Sequence, residues 1–126
     1  MTPEAAAALH ARAFPPAEAW SESAIALLLA LSGSYAHHIP DIGFVMARVA
    51  ADEAEVLTLA VVPEARGQGC AQRLVATVED AARQAGYRSL YLYTHDAQAL
   101  YERLGWRRIE ETVDARRPVT IMRRDF

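Results

Sequence analysis

A chain of 126 residues with 52% hydrophobic content is long enough for one domain around a single core. With 16 acidic and 13 basic residues, its net charge of −3 argues against a general nucleic-acid binder and suits a cationic amine as ligand. One cysteine excludes an internal disulfide and suits a reducing cytoplasm. The apolar run Leu27-Leu28-Leu29-Ala30-Leu31 is far too short to span a bilayer, and Met1-Thr2-Pro3-Glu4 does not open a secretory signal.

Thr2 is placed to cap a helix over residues 3–13, with Pro3 in its first turn and Pro15-Pro16 as its stop. Ser21 is a second N-cap, with Trp20 and Ile25 spaced as a hydrophobic staple. That helix is expected to bury Ile25, Leu28 and Leu29 and to end near Gly33. Strands are expected over 34–38 and 43–50. The polar turn Ala51-Asp52-Glu53-Ala54 then makes a hairpin into a central apolar strand over 55–62. Pro63 ends this strand because it has no N–H to give to a ladder. Ala71, Leu74, Val75, Val78, Ala81, Ala82 and Ala85 recur at helical spacing, which predicts a helix over 70–84 stopped by Gly86. Leu90-Tyr91-Leu92-Tyr93 reads as the next strand, parallel to the central one because a helix intervenes. Asp96 is placed to cap a short helix with Leu100, Tyr101 and Leu104 on one face, stopped by Gly105. Residues 106–110 and 119–123 complete a final antiparallel pair.

The chemistry concentrates where the central strand meets its helix, in Val61-Val62-Pro63-Glu64-Ala65-Arg66-Gly67-Gln68-Gly69-Cys70-Ala71. Gly67 and Gly69 lack the Cβ atoms that would hold a ligand off the backbone. The first turn of a helix leaves N–H groups unpaired at the positive end of its dipole. Arg66 adds a charged donor fork suited to phosphate oxygens. Together these make an anion site for a phosphate or pyrophosphate. The glycines by themselves leave open a tight connection with no ligand. No Gly-Lys-Ser/Thr follows, so the loop is not a P-loop, and the third glycine of the dinucleotide fingerprint is absent.

Arg66-Gly67-Gln68-Gly69-Cys70-Ala71, after a Val-x-Pro strand end, resembles the acetyl-CoA signature R/Q-x-x-G-x-G/A of the GNAT superfamily of N-acetyltransferases. Ala99-Leu100-Tyr101-Glu102-Arg103-Leu104-Gly105-Trp106 resembles its second hallmark, a helix ending in L-Y-x-x-L-G-F/W. The likeness runs from about Ile42 onward. Within the superfamily it leans toward the bacterial ribosomal-protein-alanine acetyltransferases, through Ala13-Phe14-Pro15, Trp20-Ser21 and Ala47-Arg48-Val49. It implies an α/β (α+β) fold with a mixed, mostly antiparallel twisted sheet flanked by helices. The family's first edge strand has no room before the first helix. That edge is then exposed or covered by another chain, as in a homodimer.

The resemblance also implies acetyl-CoA as cosubstrate and a primary amine as acceptor: a protein N-terminus, a lysine or a small molecule. It implies direct attack in a ternary complex, and the charge, the single cysteine and the short apolar runs add the expectation of a cytoplasmic protein with no nucleic-acid or membrane partner. The diphosphate would rest on the backbone of Gly67, Gln68, Gly69, Cys70 and Ala71 and the charge of Arg66. The backbone of Leu59, Ala60 and Val61 would pair with the pantetheine arm, beside a bulge that splays this strand from the next. An N–H near Val61 would polarise the thioester carbonyl.

Tyr101 is the candidate general acid, since a phenol is protonated at neutral pH and can give its proton to a thiolate; its place on an apolar face suits a core aromatic equally. Ala54-Glu55-Val56-Leu57 resembles the Ala-Glu-aliphatic pattern of histone-type relatives, which makes Glu55 the candidate base, acting through water. The ribosomal-protein relatives end the following strand with a glutamate where Tyr93 stands here, and carry an asparagine before the tyrosine helix that this chain lacks. His37, His38 and His95 are the other candidate bases. His37-His38 has no carboxylate or cysteine at metal-ligand spacing. Cys70 is expected to pack rather than react. Trp20, Tyr35, Tyr91 and Tyr93 are candidates to line the amine site, and Arg107, Arg108, Arg116 and Arg117 are expected to be solvated. The alternative reading is a non-catalytic acyl-CoA-binding or protein-interaction module of the same fold.

Overall fold

Thr2 Oγ1 accepts from the Ala5 N–H at 3.1 Å and starts helix α1, Pro3–Ala13. Ser21 Oγ does the same for Ala24 and starts α2, Glu22–Ala30, which buries Ile25 fully and Leu28 and Leu29 only in part. In this computed structural model, which describes residues 1–126, strands β1 (Ser34–Ile39), β2 (Gly43–Ala50) and β3 (Glu53–Val61) follow. A 3-10 turn, Pro63–Ala65, leads into α3, Cys70–Gln84. The chain ends with β4 (Ser89–Thr94), α4 (Gln98–Arg103), β5 (Arg107–Asp114) and β6 (Arg117–Asp125).

The six strands form one sheet in the order β1-β2-β3-β4-β6-β5, in which only the β3–β4 pair is parallel. β1 forms one sheet edge and β5 the other. Phe44, Val45, Met46 and Ala47 follow one another on β2, and all are fully buried. Successive strand residues point to opposite faces, so this strand is covered on both sides. Helix α3 packs Leu74, Val75, Val78 and Ala82 into the core, while α1 and α2 cover the other face with Ala6, Leu9 and Ile25. No helix is long and apolar enough to cross a membrane.

Three expectations shift. The central strand begins at Glu53 because the turn takes only Ala51 and Asp52, with Ala51 at φ 55°. Asp96 does not cap α4. The cap is Ala97, and its N–H goes to the Thr94 hydroxyl at 3.0 Å, so the end of β4 supplies the acceptor. The last hairpin is longer than its apolar pattern suggests. Pairing continues to Asp114 and Arg117 around Ala115 and Arg116, whose φ values of 47° and 67° match the left-handed pair of a type I′ turn.

At the far end of α3 the sheet is pinned through Trp106. Its ring is buried edge-on to Tyr101 at 5.6 Å between centroids, and its Nε1–H donates to Glu79 Oε1 at 3.1 Å. Burial pushes the Glu79 carboxyl above its usual range, against the pull of Arg124 and of this hydrogen bond. Trp106→Phe leaves that carboxylate without its neutral donor. The substitution is expected to cost about 1.5 kcal/mol and to lower the melting temperature by roughly 5 °C, measured by calorimetry.

Candidate active site

β3 carries one residue too many for its partner. Met46 pairs with Thr58 and Ala47 with Val56, which leaves Leu57 as a bulge. On its other edge β3 pairs with β4 at Glu55–Tyr91 and Val56–Leu92 and nowhere further. Past the bulge the two parallel strands diverge, and a cavity of about 570 Å³ opens between them. Its walls come from both sides of the sheet. α1 and the following loop give His10, Phe14, Glu18 and Trp20; β3 gives Val56 to Leu59; Tyr93, Thr94, His95, Leu100 and Tyr101 close the far wall.

The ladder tells which backbone groups face this gap. The Val62 N–H donates to the Ile42 carbonyl at 2.9 Å, and Gly43 lies opposite Val61. Antiparallel pairs alternate between bonded and non-bonded, so Ala60 and Thr58 turn their backbone groups toward β2. Leu59 and Val61 turn theirs toward the cleft. Of the expected Leu59-Ala60-Val61 run, Ala60 therefore has its N–H spent on the sheet.

The loop before α3 has the form of an anion cradle. Gly67 and Gly69 sit at φ 78° and 81°, and a Cβ built on either meets nothing within 4 Å. Backbone conformation, with open space beside it, therefore calls for glycine at both. The N–H groups of residues 67–72 have no acceptor within the chain. Arg66 does not stand free over this loop: its Nε donates to the Val61 carbonyl at 3.3 Å and its Nη2 to the Ala13 carbonyl at 2.8 Å. It ties the end of α1 to the end of β3 while keeping its charge beside the cradle. Arg12 of α1 pairs with Glu64 across the same junction. Cys70 is half-buried against the core.

Tyr101 is 6% exposed and lines the cleft. Burial pushes its phenol well above the usual value, so it stays protonated. His95 lines the same cleft, and its Nδ1 lies 2.9 Å from the Pro118 carbonyl oxygen. A carbonyl only accepts, so Nδ1 carries a proton, and in the neutral ring Nε2 is the acceptor that faces the cleft. Glu55 lies elsewhere. It sits at the zipped end of the β3–β4 pair, opposite Arg48 on β2, and does not line the cavity. Burial, then Glu53, raise its pKa, and Arg48 opposes them.

His37 and His38 line a second cavity of about 520 Å³ between β1 and α3, apart from Tyr101. Of the aromatic candidates, Trp20 and Tyr93 line the cleft. Tyr35 instead bonds the Val78 carbonyl under α3, and Tyr91 lies beneath the Arg123 guanidinium. Arg107 and Arg108 form surface ion pairs with Asp125 and Glu102. Arg117 is exposed, as expected, and also lines the cleft, where it holds Glu18 at 2.7 Å.

The residue missed in the sequence is His10. It is 1% exposed and stacked on Phe14 and Trp20, with ring centroids at 4.2 and 5.1 Å. Its Nδ1 accepts the Trp20 backbone N–H at 3.0 Å, so Nε2 carries the proton and donates to Thr58 Oγ1 at 3.1 Å. The available signal was its helical spacing from Ala6 on the apolar face of α1. Burial lowers its pKa to about 4.

An open parallel strand pair feeding a glycine-bent helix start is the arrangement that the resemblance to acetyl-CoA-dependent acyltransferases implied. The family model described as an acetyltransferase (GNAT) domain matches residues 33–108. The chain belongs to this family of N-acetyltransferases, with acetyl-CoA as cosubstrate. It is similar to the ribosomal-protein-S18-alanine N-acetyltransferase of Escherichia coli, at 26% identity and a TM-score of 0.79, over 96% of this chain and 85% of that one. An aminoglycoside 6′-N-acetyltransferase crystallised with coenzyme A shares the fold, at 18% identity and a TM-score of 0.82, over 98% and 89%. The PaiA N-acetyltransferase of Thermoplasma acidophilum, also with coenzyme A, aligns at 24% identity and a TM-score of 0.60, over 68% and 54%. No curated protein matches the sequence.

The depressed pKa of His10 sets a pH window for stability. The folded chain holds this ring neutral down to about pH 4, whereas the unfolded chain protonates it below 6.5. Stability from this site is complete above pH 6.5 and is lost as pH falls toward 4, roughly 3 kcal/mol in all. Urea titrations at pH 7 and 4.5 should show a smaller acid loss for His10→Gln than for the wild type. Equal losses contradict the assignment.

Proposed function

We propose that this chain transfers the acetyl group of acetyl-CoA to a primary amine by direct attack in the cleft between β3 and β4. The observation that carries the reading is the divergence of these strands past Leu57, with Tyr101 in the gap. The N–H groups of residues 67–72 fit a diphosphate, and the space beside Gly67 and Gly69 admits one. Leu59 and Val61 offer backbone groups to the pantetheine amides, and one of their N–H groups polarises the thioester carbonyl. Acetyl-CoA supplies the activated acyl group and a thiolate leaving group.

The acceptor amine enters beside α1 and the β5–β6 hairpin, where Glu18, Asp114 and Arg117 line the cleft. A C–N bond forms as the C–S bond breaks. The amine proton passes to Nε2 of His95, whose tautomer the Pro118 carbonyl holds, and the departing thiolate takes the Tyr101 proton. His95 therefore replaces Glu55 as base in this reading. The acceptors remain a peptide N-terminus, a lysine or a small-molecule amine, and the setting is cytoplasmic.

Tyr101→Phe is expected to lower kcat on the order of 100-fold while calorimetric affinity for acetyl-CoA stays within about twofold. His95→Gln should lower kcat on the order of 100-fold. Glu55→Gln should leave it near wild type. Full turnover by Tyr101→Phe removes the acid assignment. Binding of acetyl-CoA with no transfer to any amine favours the non-catalytic module.

A further inference from the structure

In the proposed reaction one amine N–H meets His95, and the second N–H of a primary amine still needs an acceptor. Thr58 stands in the right place. It follows the Leu57 bulge directly and precedes Leu59, whose backbone faces the cleft. Its side chain lies on the α1 face of β3, 8% exposed, and lines the cavity. His10 settles its hydrogen-bonding state. Because the Trp20 N–H occupies Nδ1, the Nε2–H is a fixed donor, and it takes one lone pair of Thr58 Oγ1. The hydroxyl has no other partner in the chain, so one lone pair and its own proton remain for a ligand.

Resting on the acetyltransferase reading, we propose that Thr58 Oγ1 accepts a hydrogen bond from the acceptor amine and aims its lone pair at the thioester carbon, with His10 as the positioning residue behind it. An attacking amine acquires positive charge on nitrogen, so its N–H becomes a stronger donor as the C–N bond forms. The Thr58 contact therefore tightens in the transition state and acts on kcat as well as on amine KM. His10 has both ring nitrogens engaged and serves as neither base nor acid.

The test uses the full chain, with thiol release followed in the presence of saturating acetyl-CoA. The probes are n-butylamine, an alanyl tripeptide amide and Nα-acetyl-lysine amide, and the fastest wild-type acceptor is carried forward. Thr58→Val should lower kcat/KM for the amine about 10- to 100-fold with calorimetric acetyl-CoA affinity unchanged within about twofold. Thr58→Ser should restore most of the loss. If the valine variant does not fold, Thr58→Ala is read for the same split. Wild-type turnover matched by Thr58→Val or Thr58→Ala overturns the inference alone, as does an equal loss of acetyl-CoA affinity or a failure of serine to rescue. A wild-type chain that acetylates none of the probes overturns the acetyltransferase reading and this inference with it.

Discussion

One surplus residue in the central strand governs the rest of the site. With Leu57 unpaired against β2, β3 bends and twists away from β4 after two parallel pairs. Had the ladder continued, Leu59 and Val61 would have given their backbone groups to β4, and the cleft would not exist. The bulge leaves a strand edge in the middle of a sheet, buried by helices on either side and still unpaired. That edge is where an extended, amide-bearing ligand arm fits, by the logic of strand addition. The same bulge puts Thr58 on the α1 face, against His10, and leaves Leu59 facing the gap.

The two ends of the cleft are held by different means. At the cradle end, Arg66 and the Arg12–Glu64 pair fasten the end of α1 to the strand terminus and the 3-10 turn. This junction holds the chain where it enters the glycine bend, ahead of the unpaired N–H groups of residues 67–72. At the other end, Trp106 packs on Tyr101 and bonds Glu79 of α3. The phenol is therefore located by the core itself, which accounts for its protonated state: the environment that positions it also disfavours its anion. Between them, the Glu18–Arg117 pair joins the loop after α1 to the last hairpin across the acceptor side.

Much of this was legible in the chain because the signals are local. Thr2 and Ser21 cap where expected, the 3.6-residue period marks Cys70–Gln84, and the glycine loop and the Leu100-Tyr101 helix carry the family likeness. The parts that were not legible depend on long-range geometry or lack pattern. β5 is exposed at every position, so no alternation marks its last residues, and its turn uses alanine and arginine at positive φ in place of the usual asparagine and glycine. Glu55 matches a family pattern, yet the bulge comes after it and leaves it on the zipped side. Tyr35 and Tyr91 are strand aromatics like Tyr93, and only sheet placement separates them. His10 and Thr58 stand 48 residues apart, and nothing near either announces the other.

Acetyl-CoA is to be held by the cleft-facing backbone of Leu59 and Val61 and by the unpaired N–H groups of residues 67–72. Amide hydrogen exchange, with and without saturating acetyl-CoA, reads both directly at residue resolution. The expected result is strong new protection at Leu59, Val61 and the amides of 67–72. Ala60, already bonded across the sheet, should change little. Protection confined to the second cavity between β1 and α3, or none in either stretch, would contradict the account.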